Sequence, residues 1–576
     1  MIDKRFFPRQ VVESTGNRWD WALLPLVLGI LALLAFGGSQ MARPYQVGDT
    51  LPISLDPAYL PYYLLRTTLR MFLALAASIV FACAFATIAA KYRAAGRVMV
   101  PLLDVLQSIP ILGFLSITVT GFIALFPGRL LGVECAAIFA IFTSQAWNMT
   151  FSLYQSLRTV PADLIEAARM YHLSPWQRFW RLEVPHGIPA LIWNMMMSVS
   201  GGWFFVVASE AITVSGQTIM LPGIGSYIAT AINASDLRAI FYAVGIMLVV
   251  ILLYDQLLFR PLLAWSQKFK GDPGADEDNV RPWFLLVMQR ARFFDLVQSG
   301  GLALNRSIDG MLAALTRSRG HRVERAAPRP WLDRLFDLVL LVLAAAAAAW
   351  LAHFVSAALS LSEIGWAFVL GAITALRVLV LIALASLIWV PIGVWIGLRP
   401  RMADRVQPIV QFLAAFPANL FFPLAVVLIL HFRLNSEIWL SPLMILGTQW
   451  YIAFNVIGGA VSLPDELKLA ATNLGVRRWL WWRRIMLPAI FPAYVTGAVT
   501  AAGGSWNASI VSEVVQWGDT RLHATGIGAY IARYTEDGDA ARIALGIAVL
   551  CLYVLAFNRL LWRRLYNLAA ERLRLD

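Results

Sequence analysis

Long apolar runs, each bounded by short polar segments rich in arginine, recur along the whole chain. Because a membrane-spanning helix needs about 20 mostly apolar residues, these runs predict transmembrane helices rather than a soluble core. A polar stretch over 266–330 separates the runs into two groups. We therefore predict an all-α integral membrane protein with about twelve transmembrane helices. The predicted spans are 21–37, 66–90, 100–126, 131–157, 187–214 and 238–264 in the first half, and 334–358, 371–398, 406–431, 437–462, 489–515 and 539–562 in the second half.

The first run follows a basic lead that contains Lys4, Arg5 and Arg9. It is longer than the apolar region of a signal peptide and no clear cleavage site follows it, so an uncleaved first span is favoured. Basic residues also gather at span ends and in the 266–330 stretch. Because Lys and Arg collect on cytoplasmic loops, we predict a bacterial inner-membrane protein with both termini and this connector in the cytoplasm. A bland linker and a regulatory element are equal alternatives for the connector.

The composition agrees with membrane residence. Apolar residues make up 59% of the chain and charged residues 14%, against about 45–50% and 25% in soluble domains. These values exclude a disordered chain, a collagen-like repeat and a secreted disulfide scaffold. Cytoplasmic basic loops explain the net charge of +13, so membrane lipid is an expected partner and nucleic acid is not. The three cysteines lie in apolar runs without metal-ligand spacing and are read as core residues.

The two halves are copies of each other. Glu513 lies 303 residues after Glu210, and upstream of a short loop near 127–132 the shift becomes 307. Six spans in each half give both copies the same orientation, which predicts parallel repeats with a pathway at their interface. We place the first repeat at 1–265, the connector at 266–330 and the second repeat at 331–576. Matching positions include Pro161 and Pro464, Trp176 and Trp479, Pro185 and Pro488, Trp203 and Trp506, Thr67 and Thr374, and Arg70 and Arg377.

Each repeat carries a polar loop, at 160–186 and at 463–489, in which we predict two short cytoplasmic helices. Ser462 is expected to cap the first helix of the second copy, with Pro464 in its first turn. That helix should end at Gly475 in the left-handed region, where the first copy has His172. Pro185 and Pro488 are expected to stop the second short helix before the next span.

These loops resemble the EAA loop of ABC importer permeases. The first copy reads Glu166-Ala167-Ala168, His172 and Pro185, and the second reads Leu469-Ala470-Ala471, Gly475 and Pro488, with Glu466 one turn before Leu469 as a substitute acid. The resemblance implies coupling helices that dock on two cytoplasmic ABC ATPase subunits. It also implies a periplasmic or lipid-anchored solute-binding protein. An ordinary interfacial helix-turn-helix is the alternative, but it would not require the same spacing twice.

A phosphate-binding G-x-x-x-x-G-K-[ST] loop is absent from the sequence, since none of the five lysines has the required neighbours. The chain is therefore not expected to be an enzyme or to hold a cofactor. ATP and Mg belong to the partner ATPase that the resemblance implies. The six histidines are scattered, which argues against a metal site.

Regions after the loops resemble the nitrate, taurine, sulfonate and bicarbonate branch of the family, and a fused, duplicated form of it. The residues that carry this resemblance are Ser209-Glu210 and Ser512-Glu513, each followed by a Gly-Ile-Gly-x-Tyr-Ile-Ala segment. The resemblance implies a small anion as substrate. The Gly-x-Gly segments are interpreted as turns in an outer loop, with a gate or receptor contact as a further option.

Ionisable residues inside spans are hypotheses for function by default. We predict that Arg70 pairs with Glu210 and Arg377 with Glu513, and that the arginines provide positive potential for an anion. The alternative is a structural ion pair that holds two helices together. Further pathway candidates, for which core packing is an equal alternative, are Trp203, Trp506, Asn507, Ser509 and the serines Ser209 and Ser512.

Three classes of function compete. The leading one is the membrane subunit of an ATP-driven importer for a small anion. The same type of importer with another small solute as its substrate is the alternative. An ion-gradient-driven carrier with parallel repeats does not explain two matched docking loops. An intramembrane enzyme finds no paired His, Asp or Glu cluster in this sequence.

Overall fold

The computed structural model describes residues 29, 32–33, 35–41, 43–45, 51–214, 217–269 and 330–572. Almost all of these residues are helical. The chain divides into two compact units. The first consists of Met1–Ser39, Val160–Pro189 and Tyr254–Ala327, and the second consists of Gln40–Thr159, Ala190–Leu253 and Pro328–Asp576. The second unit holds most of the predicted spans of both repeats.

The main helices and the hairpin of the first repeat lie between residues 60 and 266, and residues 35–41 are also helical. They are α1 Leu60–Lys91, α2 Arg93–Ser108, α3 Ile111–Leu125, α4 Leu131–Arg158, α5 Ala162–Met170, α6 Pro175–Arg178, α7 Val184–Glu210, β1 Ala211–Val214, β2 Gln217–Met220, α8 Ile224–Asn233, α9 Leu237–Tyr254 and α10 Arg260–Ser266.

The second repeat follows the same order with longer first helices. Its elements are α11 Pro330–Ala358, α12 Leu361–Gly397, α13 Pro400–Ala415, α14 Phe422–His431, α15 Ser436–Trp439, α16 Gln449–Val461, α17 Asp465–Asn473, α18 Arg478–Trp481, α19 Leu487–Ser512, β3 Val514–Trp517, β4 Thr520–His523, α20 Ile527–Asp537, α21 Ala540–Phe557 and α22 Arg563–Arg572.

In the described residues, seven helices are long and apolar enough to cross a membrane, or nine if each of two bent pairs is one span. Three predicted spans are not among these helices. Most of the predicted span 21–37 lies outside the described residues. The predicted span 100–126 is broken into α2 and α3, and α4 carries buried polar side chains such as Glu134 and Gln145 along its 28 residues. A helical integral membrane protein is nevertheless what the structure shows.

Proline sets the breaks in these bent spans. The residue before a proline is driven out of the helical region by its ring, and Ile109 and Phe416 are extended just before Pro110 and Pro417. In the second repeat the helices on either side of this break bend by 78°. Because Pro110 and Pro417 occupy matching positions, both repeats break at the same place.

Helix-widening π segments also repeat at matching positions. Phe179–Glu183 and Trp482–Met486 precede the long helices α7 and α19, and Asp255–Phe259 and Asn558–Trp562 follow α9 and α21. Both pairs are 303 residues apart. The duplication seen in the sequence therefore extends to irregular backbone.

The predicted spans 187–214 and 489–515 end earlier than expected. After Glu210 and Ser512 the chain forms short antiparallel hairpins, with Ala211 opposite Met220 and Val514 opposite His523. A run of apolar and β-branched residues cannot by itself distinguish the last turn of a helix from a buried strand.

The second unit is held together by long helix pairs, α1 with α4 in the first repeat and α12 with α16 in the second. The buried core of the second repeat extends from Val355 on α11 to Trp562 beyond α21. Small residues let these helices approach closely. An added Cβ at Gly393 or Gly497 would overlap α16. This scaffold fixes the ends of α7 and α19, where the polar residues meet.

Candidate functional site

The last residue of α7, Glu210, has a fully buried carboxylate. Its Oε1 accepts a hydrogen bond from Thr67 Oγ1 at 2.7 Å, and its Oε2 accepts one from the Gly225 backbone N–H at 2.6 Å. The Ile224 N–H in turn donates to Thr67 Oγ1 at 3.0 Å. The carboxylate thus faces the positive end of α8, where a negative charge is stabilised.

The second repeat builds the same arrangement around Glu513, which is also fully buried. Thr374 Oγ1 donates to its Oε1 at 2.7 Å, and the Ala529 N–H donates to its Oε2 at 2.9 Å. The Ile527 N–H donates to Thr374 Oγ1 at 3.0 Å. In both repeats one carboxylate therefore ties together three helices. We call this arrangement the carboxylate clamp.

The Gly-x-Gly segments follow from this clamp. Gly223 and Gly526 are the N-cap residues of α8 and α20, not turns in an outer loop, which corrects the sequence-based interpretation. A Cβ at either glycine would overlap the clamp carboxylate, and one at Gly225 or Gly528 would overlap the backbone of α7 or α19. These glycines are needed for space and not for a positive φ, since Gly223 and Gly526 are extended.

A second layer of ion pairs surrounds the first-repeat clamp. Arg70 donates through Nη1 to Glu210 Oε1 at 2.6 Å, and through Nε and Nη2 to Glu134 at 2.6 and 2.8 Å. Arg66 Nη2 also donates to Glu134 Oε1, at 2.5 Å. All four side chains are at most 1% exposed. The cluster contains two cations and two anions, so its net charge is zero. An unpaired charge in a site that excludes water would be strongly unfavourable.

The second repeat has a looser version. Arg377 Nη2 donates to Glu437 Oε2 at 2.5 Å and Nη1 donates to the Thr525 carbonyl at 2.7 Å, while Glu513 lies 3.4 Å away. The position of Arg66 is taken by Ile373. The side chain of Glu437 is 44% exposed, so water solvates the carboxylate that no second arginine neutralises.

The predicted pairs Arg70–Glu210 and Arg377–Glu513 are therefore in contact, while an anion-binding role for these arginines stays a prediction. Every nitrogen of the Arg70 guanidinium donates to a carboxylate, and neither arginine is among the residues that line the two cavities described below. The geometry supports the structural alternative. Glu134 and Glu437 were missed from sequence although they lie 303 residues apart, the repeat spacing.

Most other predicted pathway residues are core residues. Trp203 is 1% and Trp506 2% exposed, and Ser209, Ser509 and Ser512 have no exposed surface. Trp506 packs edge-on against Phe557, with 5.8 Å between ring centroids.

Asn507 is different, because its Oδ1 accepts a hydrogen bond from the Ile111 N–H of the first repeat at 2.8 Å. Its counterpart Phe204 accepts through its carbonyl from Asn419 Nδ2 of the second repeat at 3.2 Å. These two bonds join the repeats.

Two cavities lie between the repeats within the second unit. The smaller, of about 80 Å³, is lined by Ser200, Gly201, Thr448, Tyr451 and Gly504 together with apolar side chains. Gly201 and Gly504 are equivalent positions, 303 residues apart. The absence of a side chain at both keeps this space open.

The larger cavity, of about 430 Å³, lies at the hairpin end of α7 and α19. We call it the vestibule. Its lining contains equivalent residues from both repeats, which places the pseudo-twofold axis through it. These pairs are Leu112 and Asn419, Leu115 and Phe422, Val207 and Ile510, Ala208 and Val511, Ala211 and Val514, Ile212 and Val515, Thr218 and Arg521, Ala229 and Ala532, Ile232 and Thr535, and Asn233 and Glu536.

The loop 463–489, which the sequence predicts to be a docking element, lies at the opposite end of α19. α17 starts after Pro464, which is its N-cap residue and not part of its first turn. Ser462 caps nothing, since its hydroxyl donates to the Gly459 carbonyl at 3.0 Å. Both expectations for the helix start were wrong, because an extended proline alone can begin a helix. The predicted left-handed residue at the end of each first short helix is confirmed, with Gly475 at φ 63° and His172 at φ 51°.

The second alanine of each motif is buried and its neighbours are exposed. Ala168 and Ala471 are 6% and 4% exposed, whereas Glu166, Ala470 and Glu466 face outward, and Ala167 is half-buried. Beyond them Tyr171 and Leu474, again 303 residues apart, are 69% and 79% exposed. Among the described residues, each loop therefore presents a largely exposed apolar side chain.

Pro185 and Pro488 do not stop a helix. Each is the second residue of the long helix, α7 or α19, which directly follows a π segment that continues from the second short helix without interruption. The proline therefore lies within continuous helical backbone, beside a widened turn.

Comparisons with known proteins agree with this architecture. The sequence model of the family described as "Binding-protein-dependent transport system inner membrane component" matches the chain twice, at residues 78–260 and 389–566. The duplication is thereby confirmed.

The chain is also similar to named transport proteins. It is 28% identical over 170 residues to the bicarbonate transport system permease protein CmpB of Synechococcus elongatus, covering 30% of this chain and 60% of the relative. It is 27% identical over 184 residues to the nitrate import permease protein NrtB of Leptolyngbya laminosa, covering 32% and 62%. It is 26% identical over 196 residues to the taurine transport system permease protein TauC of Escherichia coli, covering 33% and 66%. The chain thus spans less than two thirds of the length of these relatives.

We expect Gly526→Ala to lower the free energy of unfolding by about 1–3 kcal/mol, because the added methyl group overlaps the Glu513 carboxylate. Gly503→Ala is the matched control, since nothing lies within 4 Å of its added Cβ. Alanine in a helix should leave stability unchanged or raise it by up to about 1 kcal/mol. Thermal unfolding of the purified chain in detergent measures both. Equal melting temperatures for the two variants would show that the clamp glycine is not tightly packed.

We expect Arg70→Gln to destabilise the chain by about 3–5 kcal/mol, because it leaves Glu134 and Glu210 buried with one cation. Arg377→Gln should cost clearly less, since the exposed Glu437 can be hydrated. The measurement is denaturant unfolding of both variants. A larger loss for Arg377→Gln would contradict the assignment of the tighter cluster to the first repeat.

Proposed function

The chain belongs to the family of binding-protein-dependent transport system inner membrane components, and we propose that it is the complete membrane pathway of an ATP-driven importer for a small solute that carries an oxyanion group. Two repeats in one chain supply both halves of that pathway. The observation that carries the proposal is that the chain has both two matched loops with exposed side chains and a cavity lined by the two repeats.

The loops supply the coupling to ATP hydrolysis. Each presents a short helix whose buried alanine fixes it to the chain and whose outward face is open, with Tyr171 or Leu474 at its end. Met170 in the first loop and Leu469 in the second are exposed as well. Several exposed apolar side chains on one polar loop are typical of a protein contact, whereas a single one is not. We propose that each loop inserts into one of two cytoplasmic ATPase subunits, which bind ATP and Mg.

In the second repeat, one long helix connects the loop to the vestibule. α19 has 26 residues, so at 1.5 Å per residue it is about 39 Å long, enough to cross a bilayer. Its first turn follows the docking loop and its last residue precedes the clamp on Glu513. A movement of the ATPase at one end can therefore shift the hairpin and α20 at the other, and a periplasmic or lipid-anchored solute-binding protein would deliver the solute there.

Support for the oxyanion comes from the relatives, which are named for bicarbonate, nitrate and taurine. The family resemblance and these names agree on small solutes with acidic groups. The 80 Å³ cavity is narrow enough to act as a closed constriction beyond the vestibule.

We expect Tyr171→Asp combined with Leu474→Asp to abolish co-purification of an ATPase and its stimulated ATP hydrolysis, because both apolar contacts would be replaced by charges. His523→Asp introduces a charge at an exposed residue on the opposite end of α19 and is the control. Affinity purification from the native host, followed by an ATPase assay, measures the effect. Unchanged recovery of the ATPase with the double variant would contradict the docking role.

We expect Gly201→Leu to reduce solute uptake at least about tenfold, because the side chain would fill the 80 Å³ cavity. Co-purification of the ATPase should be retained. Gly458→Leu adds the same side chain where nothing lies within 4 Å of the Cβ, outside both cavities. Uptake of isotope-labelled nitrate, bicarbonate and taurine by native-host cells reports on transport. Normal uptake with Gly201→Leu would place the pathway elsewhere.

A further inference from the structure

The vestibule has a single charged pair, and only the second repeat provides it. Among the described residues that line this cavity, Arg521 on β4 and Glu536 on α20 are the ionised ones. The first repeat has Thr218 and Asn233 at the equivalent positions. The charge asymmetry is therefore built into one wall of a cavity that is otherwise pseudo-symmetric and largely apolar.

The pair makes a bidentate contact, but neither group uses all of its hydrogen-bonding positions. Arg521 Nη1 and Nη2 donate to Glu536 Oε2 and Oε1 at 2.7 and 2.8 Å, a bidentate contact. A guanidinium has five N–H donors and a carboxylate about four acceptor positions, so both groups keep capacity for a ligand. Their side chains are 44% and 36% exposed, in contrast to the fully buried clusters at the clamps.

A neighbouring amide adds an acceptor. Asn419 lines the same cavity, and its Nδ2 is already committed to the Phe204 carbonyl. Its Oδ1 is buried and has no hydrogen-bond partner among the described residues. A buried acceptor without a partner is unfavourable until a donor reaches it. This observation points to a ligand that brings hydrogen-bond donors as well as an anionic group.

We propose that the Arg521–Glu536 pair selects small solutes that carry both an oxyanion group and an ammonium group, in preference to simple anions. This inference rests on the proposed transport function. The net charge of the lining is zero, so a simple anion attracted by Arg521 is repelled by Glu536 almost as strongly. A bipolar solute places its oxyanion on the outer donors of Arg521 and its ammonium on the free acceptors of Glu536.

The direct test compares solutes that differ in one group. The purified full chain in lipid nanodiscs is titrated with 2-aminoethanesulfonate, ethanesulfonate or 2-aminoethanol, and the apparent Kd is obtained from the shift in melting temperature. The bipolar solute should bind at least about tenfold more tightly than either truncated one, as expected for a charge-assisted hydrogen bond. Equal binding of 2-aminoethanesulfonate and ethanesulfonate, tighter binding of ethanesulfonate, or no binding of any of them would overturn the inference.

Variants separate selectivity from mere packing of the hairpin. Glu536→Gln should remove the preference and bind ethanesulfonate more tightly than the unaltered chain does, because the repulsive charge is gone. Arg521→Gln should lose both sulfonates. Arg542→Gln breaks an ion pair with Glu363 outside the vestibule and should keep the original order of affinities. A purely structural pair would lower the melting temperature in Glu536→Gln without changing that order, and this result would also refute the proposal.

Failure of this inference can be told apart from failure of the proposed function. Recovery of an ATPase with the chain depends on the docking loops and not on the vestibule pair. If the ATPase is recovered and uptake of a simple anion is normal while the bipolar solute is not preferred, the importer stands and the selectivity proposal falls.

Discussion

The carboxylate at the end of each long helix is the constraint on which the rest of the structure depends. A buried ionised group must be surrounded by donors, and Glu210 and Glu513 obtain theirs from a threonine on the first long helix and from the N-terminus of the helix after the hairpin. Satisfying one charge thereby fixes the position of three helices. The same contact forces glycine where α8 and α20 begin, because any side chain there would occupy the space of the carboxylate.

Duplication within one chain explains why the two clamps have diverged. In a homodimer every substitution appears on both sides of the pathway, whereas a fused chain can change one side. The first-repeat cluster is neutral and closed to water, while the second lacks the counterpart of Arg66 and leaves Glu437 exposed. The vestibule shows the same freedom, since Thr218 and Asn233 occupy the positions equivalent to Arg521 and Glu536. The two polar loops differ as well, since Leu469 stands where the first copy has Glu166. The conserved backbone carries two chemically different walls.

The duplicated helical architecture could be predicted from the sequence because Pro, Trp, Glu and Gly recur at one spacing. Apolar composition alone does not produce such a spacing. The sequence also located the left-handed ends at His172 and Gly475, where local backbone decides the outcome. It did less well where tertiary contacts decide. Trp203 and Trp506 were predicted to line a pathway, but both are buried. The 3.6-residue period identifies one face of a helix, but it does not show which neighbouring element covers that face. Glu134 and Glu437 were overlooked, although the repeat spacing would have revealed them. The Arg70 pair was found, but only coordinates show that each of its three guanidinium nitrogens already donates to a carboxylate.

The central claim is that the space between the repeats is a pathway opened and closed by ATP through the docking loops. It can be tested by placing a single cysteine at Ala508, which lines the 80 Å³ cavity, in a chain whose three native cysteines are replaced by alanine. The assembled transporter is then exposed to a membrane-impermeant maleimide with and without ATP. A pathway predicts that the extent of labelling changes with the nucleotide state. Labelling that is the same in both states would contradict an ATP-driven cavity between the repeats.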